Sequence, residues 1–179
     1  ADWPALLGCV QELGTVMALT RNEHAVIESV GRYEGLSIRG PMGLTHGSID
    51  LRLFLDRWRH AFALTEEGRD GPRRSVQIFD AAGTAVHKIY ARSETVQQAW
   101  EHLLAKTRGE DQAPGLSVEP PAAARPERAD AAIDTAGLRA AWNGLKSTHD
   151  FYGLLGRFGV SRTQALRLAA EQRVLGGRR

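Results

Sequence analysis

Ile49-Asp50-Leu51-Arg52-Leu53-Phe54-Leu55-Asp56 places Ile49, Leu51, Leu53 and Leu55 on one side of an extended chain and Asp50, Arg52, Phe54 and Asp56 on the other. Alternation at period two marks a strand that buries one face, so the aliphatic side is core. Working outward, Trp58, His60, Phe62 and Leu64 continue the alternation in a next strand. Glu66-Glu67-Gly68-Arg69-Asp70-Gly71 then reads as a turn into Ser75–Phe79, and Asp80-Ala81-Ala82-Gly83 closes a hairpin with Thr84–Ala91. Upstream, Thr15–Thr20, His24–Val30 and Leu36–Arg39 are short β-prone runs. They are separated by Arg21-Asn22, Gly31-Arg32-Tyr33-Glu34-Gly35 and Gly40-Pro41-Met42-Gly43. The pattern predicts an antiparallel meander.

Helices flank it. Residues 2–13 read as a helix with Asp2 as N-cap and Pro4 in the first turn. Ser93 reads as the cap of a second helix, in which Val96, Ala99, Trp100, Leu103 and Leu104 mark the face that covers the sheet. The chain then turns to Pro, Ala, Glu and Asp, including Pro120-Pro121 and Ala122-Ala123-Ala124, without an apolar period. Beyond it come helices at about 135–146 and 148–158 and a third opened by the capping box Ser161-Arg162-Thr163-Gln164. The expected fold is α+β: an antiparallel-sheet repeat with flanking helices over 1–107, a flexible Pro/Ala linker over 108–133, and a helical segment over 134–179.

Composition narrows the function. With 179 residues, 42% of them hydrophobic, the chain suits an ordinary globular core. No apolar run approaches the roughly 20 residues that span a bilayer, and no secretory leader is evident, so a cytoplasmic protein without membrane insertion is expected. The single cysteine, Cys9, excludes an intrachain disulfide and a thiolate cluster, and its apolar helix favours a packed, inert thiol. A net charge of +2 does not imply nucleic acid, although six arginines between Arg157 and Arg179 face only Glu171.

Chemistry concentrates at two places. On the helix after Thr148, Phe151, Leu154, Leu155 and Phe158 form a buried stripe, while His149 falls on the bare side with Tyr152, Gly153 and Gly156. Glycine costs roughly 1 kcal/mol against alanine in a helix, so two of them below an imidazole suggest that something flat approaches the backbone. One histidine suffices as an axial ligand to haem iron, because the porphyrin supplies the other donors. Arg162, in the first turn of the next helix, combines a cation with that helix's N–H groups, a site for a carboxylate or phosphate. On the sheet, Arg52 and Phe54 share the non-core face of the opening strand, where an aromatic beside a guanidinium suits a flat ligand. His24, His46, His60, His87 and His102 lie on separate elements without metal-ligand spacing and read as structural. An alternative reading takes the 149–173 helices, with their glycine turn and Ser/Arg/Gln-bearing second helix, as a helix-turn-helix DNA regulator. The aromatic-rich first helix and the preceding sheet weigh against nucleic acid.

Six stretches in order carry a family resemblance: Leu19-Thr20-Arg21-Asn22, Gly31-Arg32-Tyr33-Glu34, Ile49–Leu55, Ser75-Val76-Gln77-Ile78-Phe79-Asp80, Val86-His87-Lys88-Ile89-Tyr90 and Thr148-His149-Asp150-Phe151-Tyr152. The chain resembles the cytoplasmic haem-trafficking and haemin-degrading factors of Gram-negative haem-uptake systems, the HemS/ChuS/PhuS type. That resemblance implies haem as the bound group and His149 as the proximal iron ligand. It implies that Arg52 acts on the distal side through a water, that Phe54 lines the pocket, and that Arg162 engages a propionate. It also implies haem binding and delivery in iron acquisition, with haem-oxygenase-like degradation in some members. The implied partners are a haem oxygenase or a haem-uptake transporter. Members are tandem duplications, so the chain corresponds to an N-terminal half, and a homodimer or pairing with a second repeat would replace the rest.

Overall fold

The computed structural model describes residues 2–22, 24–69, 71–112, 115–121, 123, 126–147 and 150–169. It is an α+β protein whose chain divides into two compact units, 1–122 and 123–179.

The first unit opens with α1 (Trp3–Glu12), which starts where the Asp2 carboxylate accepts a hydrogen bond from the Ala5 N–H at 2.9 Å. Its inner face buries Leu6, Leu7, Cys9 and Val10. Burial pushes the Cys9 thiol up from its ordinary value, which keeps it protonated. Eight strands follow: β1 (Gly14–Arg21), β2 (Val26–Gly31), β3 (Glu34–Arg39), β4 (Met42–His46), β5 (Leu51–Phe54), β6 (His60–Gly68), β7 (Gly71–Phe79) and β8 (Ala85–Thr95). All pair antiparallel, but in two sheets rather than one meander: a five-stranded sheet in the order β2-β1-β8-β7-β6 and a three-stranded sheet β3-β4-β5. Alternation tells which face of a strand is buried and says nothing about which strand lies beside it.

Local departures have local causes. At Leu55 the chain leaves β5 for a 3-10 turn, Leu55–Arg57, because the Leu55 N–H turns to Pro41 O (2.8 Å) and the Trp58 N–H to Leu55 O (3.2 Å). Ile49 and Leu55 stay buried all the same. The stretch beginning Met42-Gly43 is strand rather than turn, since the reversal is made one step earlier by Gly40 at φ 56°. Ser93 is not a helix cap, because β8 runs past it. The Thr95 hydroxyl donates to Thr15 O (2.7 Å) and accepts from the Arg92 N–H (2.8 Å), and α2 (Gln97–Thr107) begins only after Val96, without a side-chain cap. Phe62 and Leu64 lie on the open side of edge strand β6 and are exposed.

Val16, Ala18, Val76, Ile78 and Ile89 from the larger sheet join Leu7, Val10, Trp100 and Leu103 of the two helices in one core. Within it His87 is buried, its Nε2 2.6 Å from the Tyr33 hydroxyl, its Nδ1 3.1 Å from the Thr20 hydroxyl, and its ring stacked on Trp58. The other edge of the sheet, β2, exposes Val26, Ile27 and Val30. Past α2, the Glu119 N–H donates to Ala81 O (2.8 Å) and the Glu119 carboxylate lies 3.7 Å from Arg59.

The second unit holds α3 (Thr135–Asn143), α4 (Phe151–Phe158) and α5 (Arg162–Ala169) around Ile133, Leu138, Leu154, Val160 and Ala165. Asp134 caps α3 by accepting from the Gly137 N–H at 2.9 Å. Ser161 does the same for the Gln164 N–H at 3.0 Å, but the Gln164 side chain does not complete a capping box. Its amide donates instead to Arg128 O (2.7 Å) and Asp130 Oδ1 (2.8 Å). Arg128 in turn donates to Phe158 O and Ala132 O. The last residues of the expected linker are thus bonded to the helices.

Candidate functional site

Arg52 and Phe54 alternate with buried Leu53 along β5, and both are half-buried. The register sets Arg52 opposite Leu44 and Phe54 opposite Met42 on β4, with Arg39 next across on β3. Directly paired residues share a face of a sheet, so Met42, Leu44 and Phe54 make an apolar surface with the Arg52 guanidinium set in it. The opposite face carries Gly43, Leu53, Thr45 and Leu51. Thr45 fixes the entry to β5: its hydroxyl donates to Ile49 O (2.8 Å) and accepts from the Leu51 N–H (3.1 Å). The face that carries Phe54, Met42 and Leu44 is thus apolar, with Arg52 as the cation on its β5 strand.

In the second unit α4 has the polarity that the sequence predicts. Leu154 is buried, Phe151, Leu155 and Phe158 are half-buried, and Tyr152, Gly153 and Gly156 are exposed. A Cβ added at Gly153 or Gly156 would meet nothing within 4 Å, so the backbone is open to a ligand there. Trp142 packs edge-on against Phe151 at 5.5 Å and fixes the helix from its inner side. His149 lies outside the described residues, immediately before Asp150, the N-cap of α4.

Arg162 is exposed at the start of α5 and donates to the Tyr152 hydroxyl, with its guanidinium 5.5 Å from the Tyr152 ring centre. The structure therefore brings Arg162 to Tyr152 on the bare side of α4, a contact that sequence spacing alone did not give. The start of α5 is less open than the sequence reading supposed. Ser161 occupies one of its N–H groups, and the Ser161 and Thr163 hydroxyls donate to the Glu127 carboxylate. The Ser161 hydroxyl chiefly holds Glu127 below the usual carboxylate range, with Thr163 and Arg167 assisting.

Among the cations that a DNA reader would use, Arg173 lies outside the described residues. Arg167 is held by Asp130 at 2.7 Å and by Glu127 at 3.6 Å, which ties its charge to the fold. Among the described residues no group of three or more His, Cys, Asp or Glu could hold a bare metal ion, and no helix is long and apolar enough to cross a membrane. Sequence reasoning passed over Met42 and Leu44, because the strand that carries them hides behind a turn-like Gly-Pro.

Comparison with known proteins points the same way. The family described as "Haemin-degrading HemS.ChuX domain" matches residues 1–107. Hemin transport protein HmuS of Yersinia pestis is 41% identical over 173 residues, which cover 96% of this chain and 49% of that protein. Among solved structures, the heme-binding protein PhuS of Pseudomonas aeruginosa in its holo form superposes with a TM-score of 0.82 at 46% identity, over 94% of this chain and 50% of its own. ChuS, an E. coli heme oxygenase, superposes at 0.72 with 32% identity, over 96% of this chain and 50% of its own. The chain spans about half the length of these relatives.

Proposed function

We propose that this chain, which belongs to the family of haemin-degrading HemS/ChuX domains, binds haem as cargo and carries it through the cytoplasm for haem-iron acquisition. The observation that carries the reading is the outer face of α4, where Gly153 and Gly156 leave the backbone open and Arg162 donates to Tyr152. Each glycine costs the helix about 1 kcal/mol against alanine, a cost that a flat ligand laid against the backbone offsets.

In this reading His149 supplies the axial nitrogen, Arg162 holds a propionate, and Phe54 with Met42 and Leu44 provides an apolar wall. Arg52 keeps a donor toward the distal side through a water. Haem iron itself supplies redox and oxygen chemistry; the protein's residues bind, orient and exclude water. Haem degradation is an additional activity this reading admits, and a haem-uptake transporter and a haem oxygenase are the partners it implies. Because the relatives are about twice as long, a second repeat, or a second copy of the chain, completes the pocket.

Titration of the haem-free chain with haemin, followed in the Soret band, tests the proposal. Saturable binding is expected. A chain that leaves the haemin spectrum unchanged, both alone and with the remaining half of an HmuS-type relative supplied in trans, overturns it.

A further inference from the structure

The arginines of the second unit are held in different ways. Arg128 donates to the Phe158 and Ala132 carbonyls, and Arg167 is paired with Asp130 and Glu127, so both are committed to the fold. Arg157 lies 5.2 Å from the Phe158 ring centre, and that ring offers no hydroxyl to direct it. Arg162 meets Tyr152 twice: the hydroxyl accepts from its Nη2, and the ring centre lies 5.5 Å from the guanidinium. Neither contact brings a countercharge. A guanidinium has more N–H donors than one hydroxyl takes, so the rest of the fork remains able to grip a carboxylate. Glu127, the carboxylate at the start of α5, is already engaged by Ser161, Thr163 and Arg167.

Tyr152 is itself unusual where it stands. It is exposed on the outer face of α4, whereas its neighbour Phe151 turns inward onto Trp142. Residues four apart share a helix face, so Gly156 lies on the side of Tyr152, and a Cβ there would meet nothing within 4 Å. An aromatic ring on the open face of a helix gains no core burial; its gain is the double contact with Arg162. A long arginine side chain loses rotamer freedom when a ligand fixes it. Tyr152 removes part of that freedom beforehand, which lowers the cost of binding.

We infer that Tyr152 is a positioning residue: it holds Arg162 ready on the outer face of α4 for one carboxylate of the bound porphyrin, and so makes the site prefer the free acid of the porphyrin over its esters. This rests on the haem reading above and adds a specificity to it. Tyr152 acts through Arg162 and not on the iron.

Soret titrations of the haem-free full chain with haemin and with haemin dimethyl ester, in the same mixed solvent, test the role. The parent should bind haemin more tightly than the diester. Tyr152→Phe keeps the ring and removes the hydroxyl. It should weaken haemin binding about threefold, leave diester binding unchanged, and leave the Soret maximum of the haemin complex in place. Arg162→Ala should weaken haemin binding about fivefold, the scale of one charge-assisted contact at an exposed site, again without effect on the diester. Because the hydroxyl works only through the guanidinium, the Tyr152→Phe/Arg162→Ala double variant should match Arg162→Ala alone. Four results overturn the positioning role while leaving the haem reading standing: a parent indifferent to esterification, no loss of haemin affinity or an equal loss for both porphyrins in Tyr152→Phe, losses that multiply in the double variant, or a shifted Soret maximum. A parent that binds neither porphyrin, alone or with the remaining half supplied in trans, overturns the haem reading and the positioning role with it.

Discussion

A buried imidazole makes the sharpest residue-scale expectation. His87 is held neutral because burial pushes its pKa from the ordinary 6.5 down to about 4. The unfolded chain therefore binds a proton that the folded one refuses, and stability falls as pH drops from 6.5 toward 4, by on the order of 3 kcal/mol. Urea titrations of the haem-free protein at pH 7 and pH 4.5 should show most of that loss, and His87→Gln should flatten it even if the variant is less stable throughout. At the candidate site, His149→Ala should shift the Soret band and weaken haem binding, and a variant matching the parent in both would remove His149 from the site. Arg52→Ala should change the spin state and alkaline transition of the ferric complex more than its affinity, since buried area dominates the binding of so large an apolar ligand. The sequence made Arg52, Phe54, Arg162 and the glycine pair visible because each breaks the pattern of its own element. The His87–Tyr33–Thr20 cluster was not legible, since two of its residues come from separate strands and the third from the connection between β2 and β3, and nothing local marks them as neighbours.

At the scale of elements, α4 offers a test that separates function from folding. Replacing Gly153 and Gly156 with alanine meets no steric obstacle and should raise stability by about 1 kcal/mol per site, yet should weaken haem binding if a flat ligand lies there. A structural role for the glycines would lower both. Gly137→Ala makes the contrast: its Cβ would fall 2.2 Å from the Asp134 carboxylate that caps α3, so melting temperature should drop despite the better helix former. The elements themselves were largely readable, because the 2.0 and 3.6 periods are local properties of the chain. Their limits were set by long-range bonds. Pro41 bends the end of β5, Thr15 keeps Thr95 in the sheet, and Arg128 and Asp130 draw the Gln164 amide away from a capping box.

For the whole molecule, the basic excess near the C-terminus has two readings that salt separates. A DNA reader loses affinity steeply as salt rises, whereas a haem carrier needs one arginine for one carboxylate. Haemin binding should survive physiological ionic strength, with Arg162→Ala reducing it modestly, and DNA retention should vanish there; the reverse result would reverse the functional assignment. The split into two sheets was beyond the sequence, because each hairpin is closed by its own turn while the β1–β8 pairing joins residues some 70 positions apart.

That pairing leaves β2 at the rim of the larger sheet with Val26, Ile27 and Val30 uncovered and Glu28 the one charged residue along it. Backbone donors and acceptors on an outer strand recruit further strands where charges are few and no proline interrupts. This rim, like the β6 edge that exposes Phe62 and Leu64, therefore limits the concentration at which the purified chain stays dispersed. Ile27→Lys should raise that ceiling in a light-scattering series while leaving the urea midpoint where it was.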